Sequence, residues 1–164
     1  MGIFSREHPV FSVFIGFSAS GKKIHPSKGG RSVSISYRIN EEVRAEDVAD
    51  VFRSSGIRRP VDDLARIRTM LEHVNLTLTA WDGGKLVGIA RALTDFVYCC
   101  YLSDLAVRKE YQKQGIGKEL VRLLRERLGE KVAIILVSAP EAVDYYPRIG
   151  FDKCDRAFLI PRTH

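Results

Sequence analysis

The most chemically informative stretch of this 164-residue chain is Gln112-Lys113-Gln114-Gly115-Ile116-Gly117-Lys118. It opens a run, Gly115 to Leu128, that places Leu120, Val121, Leu124 and Leu128 on one helical face and Lys118, Glu119, Arg122, Arg125 and Glu126 on the other. A helix start offers unpaired backbone N–H groups and the positive end of a dipole, and Gly115 and Gly117 carry no Cβ to hold an anion away. The chemistry this predicts is phosphate binding, with Lys113 and Lys118 adding positive charge. Two phosphate loops fail on spacing. A Walker-type loop needs glycine five residues before Gly117 and Ser or Thr after Lys118, where Gln112 and Glu119 stand. The dinucleotide fingerprint needs a third glycine where Leu120 stands, and it opens a first βαβ unit rather than lying late in a chain.

The surrounding sequence must position that loop. Val33, Ile35, Tyr37 and Ile39 alternate with polar residues and predict a half-buried strand, β1. Ala45 to Ser55 predicts helix α1, with Glu46 and Asp47 in its first turn and Gly56 as its stop. Asp62 and Asp63, after Pro60, are caps for α2, which buries Leu64, Ile67, Met70 and Leu71. Leu76 to Trp81 and Leu86 to Leu93 flank Asp82-Gly83-Gly84-Lys85 and form a hairpin, β2 and β3. Phe96 to Val107 is read as a long central strand, β4, and the amphipathic run as α3. Val132 to Val137, continuously apolar, is β5, reached by a crossover. Glu141 to Ile149 reads as a fourth helix and Phe151 to Ile160 as a last strand.

With these elements in place, Gln112-x-x-Gly115-x-Gly117 resembles the pyrophosphate motif of the GCN5-related N-acetyltransferases. The context is similar too: Ser103-Asp104-Leu105-Ala106-Val107 on the preceding strand, Tyr111 before the motif, and Asp144-Tyr145-Tyr146-Pro147-Arg148-Ile149-Gly150-Phe151 downstream. The resemblance covers about residues 33 to 160, and Thr94 to Val107 is also similar to small bacterial members and plastid arylalkylamine acetyltransferases. It implies an α/β (α+β) GNAT fold: a mixed, mostly antiparallel, twisted sheet of six to seven strands, splayed between β4 and β5 and flanked by about four helices. It further implies acetyl-CoA as cosubstrate, with Leu105, Ala106 and Val107 offering backbone groups to pantetheine and Gln112, Lys113, Gln114, Gly115, Ile116, Gly117 and Lys118 holding the pyrophosphate.

The implied reaction is direct attack of a neutral amine on the thioester in a ternary complex, with no acyl-enzyme. Tyr146 matches the family's proton donor to the leaving thiolate, and Tyr145 would point elsewhere on a helix. The family's usual Glu or His earlier on β4 is replaced here by Tyr101 or Ser103. Asp104 is then the nearest carboxylate for a general base, with Asp95 and Glu141 as further candidates beside no dedicated base at all. That missing base keeps open an alternative, a catalytically degenerate CoA-binding sensor or interaction domain. The acceptor, a small-molecule or protein amine, would meet α1, α2 and the loop between them, where Arg58 and Arg59 lie. The family also implies homodimers through sheet edges or helices.

Composition narrows the rest. The length suits one α/β domain, 33–164, after an N-terminal extension, 1–32, whose second half reads as disordered. Of the formal charge of +6, four charges lie in residues 1–32, which carry five basic groups against one acidic. So little excess in the remainder argues against a nucleic-acid binder. The apolar stretch Val10 to Phe17 is too short to span a bilayer, so no membrane partner is expected. Three cysteines, Cys99, Cys100 and Cys154, show no metal-ligand spacing, so no metal is expected, and their odd number suits a reduced, cytoplasmic protein.

Overall fold

The structure, a computed structural model, describes residues 22–23 and 34–163. Most of the 1–32 extension, including Val10 to Phe17, lies outside the described residues. Five strands form the body of one sheet in chain order: β1 Ser34–Ile39, β2 Leu76–Asp82, β3 Lys85–Thr94, β4 Cys99–Val107 and β5 Ala133–Ile135. A two-residue strand, Lys22–Lys23, pairs antiparallel on the outer edge of β1. Each neighbouring pair from β1 to β4 is antiparallel, whereas β5 runs parallel to β4, so the sheet is mixed. The parallel pair requires a crossover, and α3, Ile116–Leu128, supplies it.

One face of the sheet is covered by α3, whose Ile116, Leu120, Val121, Leu124 and Leu128 are buried against residues such as Leu78, Ala90 and Leu102. The other face is covered by α1, Ala45–Ser55, and α2, Leu64–Glu72. There Val48, Val51, Phe52 and Ile67 meet Leu86, Ile89 and Ala106. Each helix is amphipathic because only one stripe has a sheet to cover. Gly56, with φ of 83°, closes α1 in the left-handed region, and the Asp63 carboxylate accepts from the Arg66 amide to open α2.

Two irregularities shape β3 and β4. Asp104 pairs with Arg91 and Leu102 with Ala92, so Ser103 is an extra residue on β4, a bulge. Side chains otherwise alternate, yet Leu102 and Leu105, three apart, both pack on the α3 side. The bulge thereby turns Asp104 toward the α1/α2 side. A second register shift lies between Ala80 and Trp81 on β2, opposite Val87.

In place of the expected six to seven strands and about four helices, the described residues form a sheet of five strands, with the two-residue Lys22–Lys23 pair at its edge, and three α-helices. β4 begins at Cys99 rather than Phe96, because the Asp95 carboxylate accepts from the amides of Val97, Tyr98 and Cys99 and folds those residues into a turn. Glu141 to Ile149 is no α-helix but two 3-10 turns, Pro140–Ala142 and Tyr146–Ile149. Pro147 has no N–H for an i to i−4 bond, and its ring would clash with the carbonyl one turn back. Phe151 to Ile160 forms no ladder, and Phe158 and Ile160 are almost fully exposed. β5 pairs over only three residues, so it offers that segment little edge to extend.

Candidate active site

The mouth of α3 is built by two left-handed residues, Lys113 with φ of 61° and Gly115 with φ of 83°. Gly115 is the N-cap, and no side chain caps the helix. The first amides of α3 have no intrahelical acceptor by construction, so they remain available at the positive end of the dipole. The Gln112 side-chain amide donates to the Val107 carbonyl at 3.0 Å, and that of Gln114 to the Glu110 carbonyl at 3.1 Å. Both glutamines therefore hold the shape of the loop with their side chains. Lys113 and Lys118 are exposed, while Ile116 is buried in the core.

Gly117 is where the loop has least room. A Cβ there would lie 2.8 Å from the Tyr145 hydroxyl oxygen. The expectation that Tyr145 points elsewhere is corrected: without an α-helix over 141–149, its ring reaches the mouth of α3. A small, open, positively polarised turn with a phenol at its rim fits an anion such as a diphosphate.

From that mouth the gap continues along β4. β4 and β5 pair only at Cys99, Cys100 and Tyr101, opposite Ala133, Ile134 and Ile135. From Leu102 to Val107 the edge of β4 that faces away from β3 has no ladder partner among the described residues. Leu105, Ala106 and Val107 thus lie along an open strand edge leading to Gln112. The parting leaves backbone donors and acceptors for an extended chain to pair with.

Asp104 sits beside this opening with its side chain fully buried. One carboxylate oxygen accepts from Arg59 Nε and the other from Arg91 Nε. Arg59 also donates to the Ser103 carbonyl at 2.8 Å, and Arg91 to the Ser103 hydroxyl at 2.9 Å and the Met70 carbonyl at 3.2 Å. Both oxygens of Asp104, considered above as a base, are already engaged by guanidinium groups. Its geometry is that of an anchor pinning the bulge to α2 and to the α1–α2 loop. Asp95, the second candidate, is occupied by three turn amides that hold its carboxyl at about 2. Glu141, the third, is exposed in the Pro140–Ala142 turn.

Tyr146 is half-buried, edge-on to Tyr145 at 5.5 Å between ring centroids and to Phe151 at 5.6 Å. Burial raises its phenol above the ordinary value, Tyr145 adds to that rise, and the Arg59 guanidinium opposes it. The Tyr145 phenol is likewise raised by burial.

Sequence pattern alone does not single out Arg91. The signal for it is a lone arginine inside Leu86 to Leu93, otherwise apolar, facing a strand whose only carboxylate is Asp104. A cavity of about 720 Å³ between the end of β1, α2 and the start of β2 is lined by Asn40, Glu41, Glu42 and Arg68 among others, and it shares no residue with the loop or the gap.

Residues 46–159 match the family model of the acetyltransferase (GNAT) domain. Over 70 residues the chain is 40% identical to GCN5-related N-acetyltransferase 2, chloroplastic, of Arabidopsis thaliana, a match covering 42% of this chain and 27% of that protein. The match thus spans about a quarter of that relative. Among solved structures, a GNAT family acetyltransferase from Streptococcus pneumoniae TIGR4 superposes with a TM-score of 0.64 at 26% identity, over 78% of this chain and 98% of that one. An aminoglycoside N-acetyltransferase, AAC(6')-Iy, solved in complex with CoA, has the same fold, with a TM-score of 0.62 at 17% identity over 82% of this chain and 98% of that chain.

Proposed function

Since the chain belongs to the GNAT acetyltransferase family and is an N-acyltransferase, we propose that it moves an acetyl group from acetyl-CoA to a primary amine by direct attack in a ternary complex. The observation that carries this reading is the parting of β4 from β5 after Tyr101, which opens an unpaired strand edge beside the uncapped mouth of α3. The pyrophosphate is assigned to the amides from Gln112 to Lys118 and the pantetheine arm to the backbone of Leu105, Ala106 and Val107.

In the proposed reaction the amine nitrogen bonds to the thioester carbonyl carbon, the C–S bond breaks, and the departing thiolate takes a proton from the Tyr146 hydroxyl. The amine loses its extra proton to water, and solvent reprotonates Tyr146. A phenol raised by burial stays protonated through neutral pH and is available as an acid. The same half-dry surroundings make the departing thiolate more basic, which favours the transfer. The catalytic domain is assigned to 33–164, with 1–32 as an extension. Cys99, Cys100 and Cys154 are free thiols, which supports a reducing, cytoplasm-like setting.

The test is release of CoA thiol from acetyl-CoA across a panel of small and peptide primary amines. Tyr146→Phe should lower kcat by about 100-fold, the low end of what a positioned acid contributes, while acetyl-CoA affinity stays within about twofold. A wild-type chain that binds acetyl-CoA yet releases no thiol with any amine would replace this reading by that of a CoA-binding sensor or interaction domain.

A further inference from the structure

We propose that Arg59 is a positioning residue that fastens the α1–α2 loop to the bulge on β4 and brings the surplus positive charge of the Arg59–Asp104–Arg91 cluster to that loop. The inference deepens the acyl-transfer reading and rests on it for the role of Tyr146.

Charge and connectivity both single out Arg59. One carboxylate, Asp104, serves two guanidinium groups, so the cluster carries one uncompensated positive charge. Arg91 already neutralises Asp104 from the neighbouring strand and is itself nearly buried, with a side chain 9% exposed. Arg59 comes from 45 residues earlier, retains 22% exposure, and spends its other hydrogen bonds on the Ser103 and Arg58 carbonyls. Fold stability does not require this second cation, because the Arg91–Asp104 pair is electrically complete without it. What Arg59 adds is a tether between the loop over the acceptor side and the strand residue at which β4 changes face.

The surplus charge also has a direction. Two neighbours act on the Tyr146 phenol electrostatically: Tyr145 from its own segment and Arg59 from the α1–α2 loop. A fixed cation acting on a proton donor favours the phenolate formed as the proton leaves, and it favours negative charge developing on a departing group nearby. The tether and the charge come from one side chain, so the chain places its acceptor loop and tunes its proton donor with the same contact.

The test uses the full chain carrying Arg59→Met or Arg59→Lys, with Tyr146→Phe identifying which ionisation step in the tyrosine absorbance belongs to Tyr146. The expected result in Arg59→Met is a Tyr146 step displaced to higher pH and amide exchange across 56–62 accelerated by about tenfold or more as the loop opens locally. Arg59→Lys, which keeps the charge, should hold the Tyr146 step near its wild-type position. With an amine that the wild type acetylates, kcat should fall more than acceptor KM rises in Arg59→Met, and Kd for acetyl-CoA should stay within about twofold. An unmoved Tyr146 step, or unchanged exchange over 56–62, overturns the inference. So does an equal fall in unfolding temperature in both variants that accounts for the lost activity. A fully active Tyr146→Phe would instead sink the general-acid reading, while the absorbance and exchange data would still decide what Arg59 does.

Discussion

Replacing Gly117 by alanine separates the cofactor grip from the stability of the fold. The added Cβ would sit 2.8 Å from the Tyr145 hydroxyl oxygen, below the 3.0 Å that real Cβ atoms respect, and 3.8 Å from Val107 Cγ2. The obstructing atom is the far end of a side chain that is 37% exposed, so the ring can swing aside. Alanine in place of glycine favours helix by up to about 1 kcal/mol, less in a first turn, which offsets the displaced ring. The fold should therefore hold within about 1 kcal/mol in urea unfolding. Binding should not. A methyl at the mouth of α3 displaces an anion from its amide donors, and one lost charge-assisted hydrogen bond is worth about 1.5–3 kcal/mol. Titration calorimetry with acetyl-CoA should show Kd raised by roughly 10- to 150-fold. Gly115→Ala supplies the contrast, because at φ of 83° it strains the backbone and should cost about 1–2 kcal/mol of stability. Wild-type affinity in a folded Gly117→Ala chain would refute the cradle.

Asp104→Asn should destabilise the chain by roughly 3–5 kcal/mol in urea unfolding, since it leaves the nearly buried Arg91 guanidinium without its carboxylate, whereas Arg91→Met should cost less because Arg59 still pairs with Asp104. Three backbone amides hold the Asp95 carboxyl at about 2 in the folded chain. The stability it contributes is present above the unfolded value near 4 and is lost as pH falls toward 2. Thermal unfolding followed between pH 4 and pH 2 should thus fall more steeply in the wild type than in Asp95→Ala. Burial pushes the Cys100 thiol up to about 11, so native alkylation at pH 8 should leave Cys100 unmodified while exposed Cys154 reacts, as peptide mass mapping would report.

The sequence alone determined whatever depends on local pattern. The Asp82 to Lys85 turn, the amphipathic stripe of α3 and the glycines at its mouth each state their conformation within a few neighbouring residues. For that reason the glycine turn that opens α3 and the β2–β3 hairpin were legible in the sequence. Only the tertiary structure decided what depends on partners distant along the chain. The bulge at Ser103 is a matter of register against Arg91 and Ala92, and it brought Asp104 to Arg59 and Arg91. Tyr145 reached Gly117 because Pro147 denied its segment an α-helix, and Phe151 to Ile160 stayed unpaired because β5 meets β4 over three residues only. Periodicity states which face of an element seeks burial; which edge or charge then meets it is settled when the whole chain competes for the same few partners.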